Sequence, residues 1–146
     1  MAMNVLVLNG PNLDVLGSRE PDVYGSSTLA EIEADLAPVA ADLDITLSWR
    51  QAASEAALIE HLQAVAGTTD GALLNAGALT HYGYALHDAI RAFGAPVIEV
   101  HLSNVHAREA WRQRSVIASA CVAGVYGFGA DVYRVALVGL AGRLAP

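Results

Sequence analysis

The chain reads as one α/β domain, residues 1–146, built on a parallel sheet. Short apolar runs alternate along its length with segments whose apolar residues recur at helical spacing. Each apolar run breaks at a cluster of Asn, Gly, Pro, Ser or Thr, as strands ending in turns do. Hydrophobic residues make up 54% of the 146 positions and charged residues only 16%, so there is material for a sizeable core. Right-handed crossovers would then put all β-to-α loops on one edge of the sheet.

Val5 to Leu8 is the first expected strand, stopped by Asn9-Gly10-Pro11-Asn12. A polar loop follows, carrying Asp14, Arg19, Glu20, Asp22 and Tyr24. Thr28 and Glu31 form a capping box for a helix over 28 to 42, with a bend or frayed stop expected near Pro38. Ile45, Leu47 and Trp49 alternate with polar residues, the mark of a half-buried strand near a sheet edge. Ser54 caps the next helix, which carries Leu58, Ile59, Leu62 and Val65 on one face. Ala72 to Leu74 is a third strand ending at Asn75-Ala76-Gly77. A loop over 78 to 83 leads to a helix over 84 to 93, stopped by Gly94 and Pro96. Pro96 to His101 is a fourth strand, and a short helix over 107 to 113 is expected to carry Arg112. Val122 to Tyr126 reads as a fifth strand. The last helix, 130 to 143, is expected to bury Val132, Val135, Ala136 and Leu140.

The formal charge of -7 argues against a nucleic-acid or anionic-membrane surface. It leaves room for a small anionic ligand held by a local arginine cluster. All eight basic residues are arginine, so neither a lysine Schiff base nor a P-loop lysine is available. The lone Cys121 forms no disulfide within the chain and fits a buried, inert thiol in a reducing compartment. No signal peptide or membrane-length apolar run is read, so a cytoplasmic location is expected. High apolar content suggests surface hidden between subunits.

Polar residues concentrate at three strand ends. The first delivers Asn9, Asn12, Arg19 and Tyr24; the third, Asn75 and His81; the fourth, Glu99, His101, Ser103 and Asn104. Together they suit a crevice for a small polyhydroxylated acid. Glu99 and His101, two apart on a strand, are expected to start on opposite faces, and no HExxH or paired cysteines occur, so no metal site is expected. The absence of GxGxxG after the first strand argues against a dinucleotide. These residues alone leave the reaction type open, and a non-catalytic or flavin-binding module remains an alternative.

The stretch from Asn9 to Gly25, NGPNLxxLGxREPxxYG, resembles type II 3-dehydroquinate dehydratase. The likeness continues in Gln51 with Ser54-Glu55, in NAGALTHYGYALHDAI from Asn75, and in IEVHLSNVHAREAWR from Ile98. The resemblance implies a flavodoxin-like three-layer sandwich on a five-stranded parallel sheet, assembled as a dodecamer of trimers. It implies a hydro-lyase that reversibly dehydrates 3-dehydroquinate to 3-dehydroshikimate through an enolate, without metal or cofactor. Tyr24 matches the general base, Arg19 the residue that favours its phenolate, and His101 the general acid, with Glu99 as its orienting partner. Asn12 matches the holder of a water near the enolate oxygen. Asn75, His81, Leu102, Ser103 and Arg112 match the substrate-binding set, Asp88 an acid reaching a neighbouring subunit's site, and Arg108 a second basic residue near the loop. The chain departs from the family pattern at Asp14, Tyr82, Tyr84, His87, Gln113-Arg114 and Asp131-Val132.

Overall fold

The computed structural model describes residues 2–146. Strands β1 (Met3–Asn9), β2 (Ile45–Gln51), β3 (Gly71–Asn75), β4 (Val97–His101) and β5 (Ala123–Tyr126) form one parallel sheet in the order β2-β1-β3-β4-β5. Its helices are α1 (Pro21–Tyr24), α2 (Leu29–Asp42), α3 (Glu55–Val65), α4 (Tyr84–Phe93) and α5 (Asp131–Leu144). This is the flavodoxin-like strand order, and the chain reverses its winding direction between β1 and β3.

The pleat of β1 shows how the layers are built. Val5 and Val7 enter a core shared with Ile32 and Leu36 of α2 and Val132, Ala136 and Leu140 of α5. Leu6 and Leu8 enter a second core with Leu58 and Leu62 of α3 and Leu86 and Ile90 of α4. Side chains alternate between faces, so a strand covered on both sides must be apolar at every position. Each fully buried Leu of this kind contributes about 1.5–3 kcal/mol. Edge strand β2 instead alternates buried or half-buried residues with exposed ones, as expected.

The caps behave as the sequence suggests. Thr28 Oγ1 accepts from the Glu31 N–H at 3.1 Å, and Ser54 Oγ accepts from Ala57 N–H at 3.2 Å. Gly94 closes α4 with φ 81°, a conformation natural to glycine.

Three expectations need correction. The stop near Pro38 does not occur, and α2 runs on to Asp42. Pro38 and Ala34 lie on the exposed face, so the carbonyl robbed of its partner faces water. The helix over 107 to 113 is replaced by two 3-10 turns, Val105–Ala107 and Ala110–Arg112. Extended backbone at Arg108 (φ -116°, ψ -157°) separates them. Val135 is 42% exposed, whereas Tyr133 and Leu137 are buried. The buried face of α5 is therefore set by Val132, Tyr133, Ala136, Leu137 and Leu140.

Candidate active site

The ends of β1, β3 and β4 are adjacent in the sheet and open onto one narrow crevice of about 40 Å³. Its first wall is the loop after β1. Gly10 N–H donates to the Asn75 carbonyl at 2.7 Å. A Cβ on Gly10 would lie 2.7 Å from the Ala76 carbonyl oxygen, so the motif requires glycine for close approach of two backbones. Gln51 Nε2 donates to the Gly10 carbonyl at 3.2 Å and braces the same turn from the edge strand. Asn12, at φ 69°, takes the left-handed conformation that Asn tolerates well, and it lines the crevice. Asn9 does not line it; its side chain is buried beneath.

Tyr24 is the last residue of α1, the single turn that begins at Pro21. Leu13, Leu16 and the Tyr24 ring pack into the same apolar core, anchoring the loop. Arg19 Nη2 donates to the Tyr24 hydroxyl at 3.1 Å. The Arg19 guanidinium carbon lies 4.3 Å from the ring centroid, and that of Arg108 lies 5.0 Å away. Two cations thus lie against the ring of a phenol that is 8% exposed.

β4 supplies the opposing wall. His101 Nε2 meets Glu99 Oε2 at 2.6 Å, with both residues buried. The expectation that these side chains leave on opposite faces is wrong. A strand repeats every two residues, so positions i and i+2 share a face. Ile98 and Val100 enter the other core, on the side of α2 and α5. A carboxylate only accepts, so Nε2 carries the proton and Nδ1 is the ring nitrogen left for the crevice. The other oxygen, Glu99 Oε1, accepts from Ser115 Oγ at 2.9 Å.

The floor comes from β3. Asn75 Nδ2 donates to the Tyr133 hydroxyl at 3.1 Å, and Tyr133 donates to Asn9 Oδ1 at 2.6 Å. Asn75 Oδ1 accepts from Gly77 N–H at 3.3 Å. Burial holds the Tyr133 hydroxyl well above its ordinary range, so it stays a neutral donor. Sequence reasoning missed this residue. A lone Tyr on the apolar face of α5 was the available signal, because a buried hydroxyl needs partners.

His81 closes the third side. Its Nδ1–H donates to the Arg114 carbonyl at 2.8 Å, and its ring meets Trp111 edge-on at 5.3 Å. Burial, the largest cause, lowers the pKa of His81 from 6.5 against the pull of that hydrogen bond, and nearby His101 and Arg112 lower it further. A neutral His81 presents Nε2 as an acceptor. Leu102 and Ser103 follow β4 and line the crevice. Ser103 Oγ accepts from Arg108 Nη1 at 3.1 Å. Arg112 Nε donates to Glu109 Oε2 at 2.6 Å, and this bond is the main reason Glu109 titrates below the ordinary carboxylate range.

The structure therefore brings Asn12, Arg19, Tyr24, Asn75, His81, His101, Leu102, Ser103, Arg108 and Arg112 to one crevice, with Glu99 directly behind His101. It does not bring Asp88 there. That side chain is 85% exposed on α4, paired with His87 Nδ1 at 3.1 Å. The lining holds three arginines and no carboxylate among the described residues, a positive site within an acidic protein. No group of three or more His, Cys, Asp or Glu able to hold a metal ion occurs among them. A phenol beside a guanidinium, facing a carboxylate-held imidazole, can remove one proton and deliver another.

Comparison with known proteins agrees with this geometry. The family described as Dehydroquinase class II matches residues 3–141. A 3-dehydroquinate dehydratase of Jannaschia sp. is 49% identical, covering 97% of this chain and 96% of its own. One from Gemmatimonas aurantiaca is 52% identical, covering 94% and 91%. The crystal structure of the type II dehydroquinase from Propionibacterium acnes superposes with a TM-score of 0.92 at 38% identity, covering 97% of this chain and 98% of that one. Sequence, fold and crevice thus converge, and the chain belongs to the class II dehydroquinases, the type II 3-dehydroquinate dehydratases.

Proposed function

We propose that the crevice dehydrates 3-dehydroquinate to 3-dehydroshikimate, a step of the shikimate pathway, with Tyr24 as base and His101 as acid. The observation that carries this reading is the Arg19–Tyr24 contact at 3.1 Å facing the Glu99–His101 pair across one positive crevice. A free tyrosine has a pKa near 10, so forming a phenolate at pH 7 costs about 4 kcal/mol. The Arg19 guanidinium lies 3.1 Å from that oxygen, a cation in place to meet the charge as the proton leaves.

The Tyr24 phenolate takes a proton from C2, and the electron pair moves into the ketone to give an enolate. Asn12 holds a water against the enolate oxygen, so that developing charge meets a donor already in place. His101 then protonates the C1 hydroxyl, water departs, and the enolate collapses to the conjugated enone. Glu99 steadies the imidazolium before it gives up its proton. Asn75, His81, Leu102, Ser103 and Arg112 hold the substrate's carboxylate and hydroxyls, and Arg108, bonded to Ser103, lies over the Tyr24 ring of the loop.

The catalytic unit is the whole chain, 1–146. It works as a homo-oligomer, a dodecamer of trimers, in which Asp88 reaches a neighbouring site. The exposure of Asp88 and of Tyr82, Tyr84, Tyr126 and Phe128 supports this assembly. Among the described residues no helix is long and apolar enough to cross a membrane.

The test is Tyr24→Phe and His101→Ala, followed by the absorbance of the conjugated product. Each should lower turnover by orders of magnitude while circular dichroism and the melting temperature hold. Near-normal turnover in either variant would overturn the assignment.

A further inference from the structure

We infer that Ser115 is a positioning residue for the acid step, holding the Glu99 carboxylate so that His101 keeps a single tautomer. This rests on His101 serving as the general acid. Glu99 is 6% exposed and has two side-chain partners, one on each oxygen. His101 occupies Oε2 at 2.6 Å, and Ser115 occupies Oε1 at 2.9 Å. The serine hydroxyl is itself fixed, because it accepts from Ala118 N–H at 3.1 Å and so has its proton free to point at Glu99. Ser115 thus sits at the far end of a chain running Ala118, Ser115, Glu99, His101. It is not among the residues lining the crevice of Tyr24, so it acts through Glu99 and not on substrate.

The physical reason is geometric. A carboxylate held by one partner can rotate about its last torsion, whereas two partners on opposite oxygens lock its plane. The locked plane keeps Oε2 in line with His101 Nε2–H, so Nδ1 faces the crevice and is the nitrogen that, in the imidazolium, carries the proton delivered to the leaving hydroxyl. Without Ser115, Glu99 can turn toward other donors, and the imidazole samples the tautomer with its proton on Nδ1. That tautomer turns an unprotonated Nε2 toward the Glu99 carboxylate and breaks the dyad that holds the imidazolium.

The experiment compares Ser115→Ala, Ser115→Thr and His101→Ala with the native enzyme. Ser115→Ala should lower kcat about 10-fold with KM within twofold, since the substrate contacts are intact. Ser115→Thr, which keeps the hydroxyl, should restore most of kcat. Nitrogen-15 spectra of the labelled imidazoles should show His101 as one tautomer in the native and Thr proteins and as a mixture in the Ala protein. Native kcat and a single tautomer in Ser115→Ala would overturn the inference. So would a lowered melting temperature with kcat unchanged, which would leave Ser115 as only the cap of the Ala118–Ala120 turn. An active His101→Ala would instead overturn the acid assignment itself, a different failure.

Discussion

Changing Tyr133 to Phe removes one oxygen from the molecule's interior and leaves the ring in place. The hydroxyl donates to Asn9 Oδ1 at 2.6 Å and accepts from Asn75 Nδ2 at 3.1 Å. Asn9 is 0% exposed and Asn75 3%, so water cannot replace it. Asn75 keeps its Gly77 contact through the other amide atom, and Asn9 keeps only a long 3.5 Å bond to the Arg50 carbonyl. The ring's contact with Trp49, 5.7 Å between centroids, survives as Phe. Each buried group left without a partner costs about 1–3 kcal/mol, so two such groups put the loss at about 2–6 kcal/mol. Urea denaturation at pH 7 and fixed protein concentration measures it, with the slope unchanged. KM should rise as well, because Asn75 forms the crevice floor. A stability loss below about 0.5 kcal/mol would refute the claim that this hydroxyl ties the ends of β1 and β3 to α5. Alkali gives a second arm. Burial raises the folded Tyr133 pKa, while the unfolded phenol ionises from about pH 10. Above that pH the folded state binds more protons than the unfolded one, so stability falls as pH rises. Tyr133→Phe should lose that part of the slope.

The remaining predictions concern charge and chemistry. Burial, with Glu99 adding to it, pushes Cys121 up to about 12, so thiol reagents at pH 8 should label it only after denaturation. Immediate labelling of the native protein would contradict this. His81 titrates lower in the folded chain than in the unfolded one, so it favours the native state above about pH 6.5 and opposes it as the pH falls. His81→Gln should therefore flatten the acid side of the stability profile, and an unchanged acid side would reject that account. Turnover should be undiminished by EDTA and by borohydride added with substrate. Inactivation by borohydride would require an imine, which a chain without lysine does not form.

Much of the site was legible because its residues cluster at strand ends. A parallel α/β chain delivers those ends to one edge whatever the details of packing. The NGPN turn, the Thr28 and Ser54 caps and the edge character of β2 are local matters, and local chemistry predicted them. Two errors share one cause. Val135, expected to be buried, is exposed and Tyr133, which was missed, is buried, because the burial of α5 depends on its rotation against β3 and β4, which helical spacing alone leaves free. The 107 to 113 segment reads as helical by composition, yet extended backbone at Arg108, whose side chain reaches back to Ser103, divides it into two tight turns. The face shared by Glu99 and His101 was in principle legible, since it needs only the two-residue repeat of a strand.

By itself the sequence determined the alternation of strands and helices, the chemistry carried by each strand end, and the exclusion of imine chemistry by the missing lysine. Those properties depend on residue type and on neighbours within a few positions. Only the tertiary structure decided which partners meet across the fold: Tyr133 with Asn9 and Asn75, Ser115 with Glu99, Gly10 against Ala76, and two guanidiniums on Tyr24. Asn9 and Tyr133 stand 124 positions apart. No local preference encodes such a contact; it exists because α5 packs across the ends of β1 and β3 and a buried hydroxyl must find its hydrogen bonds there.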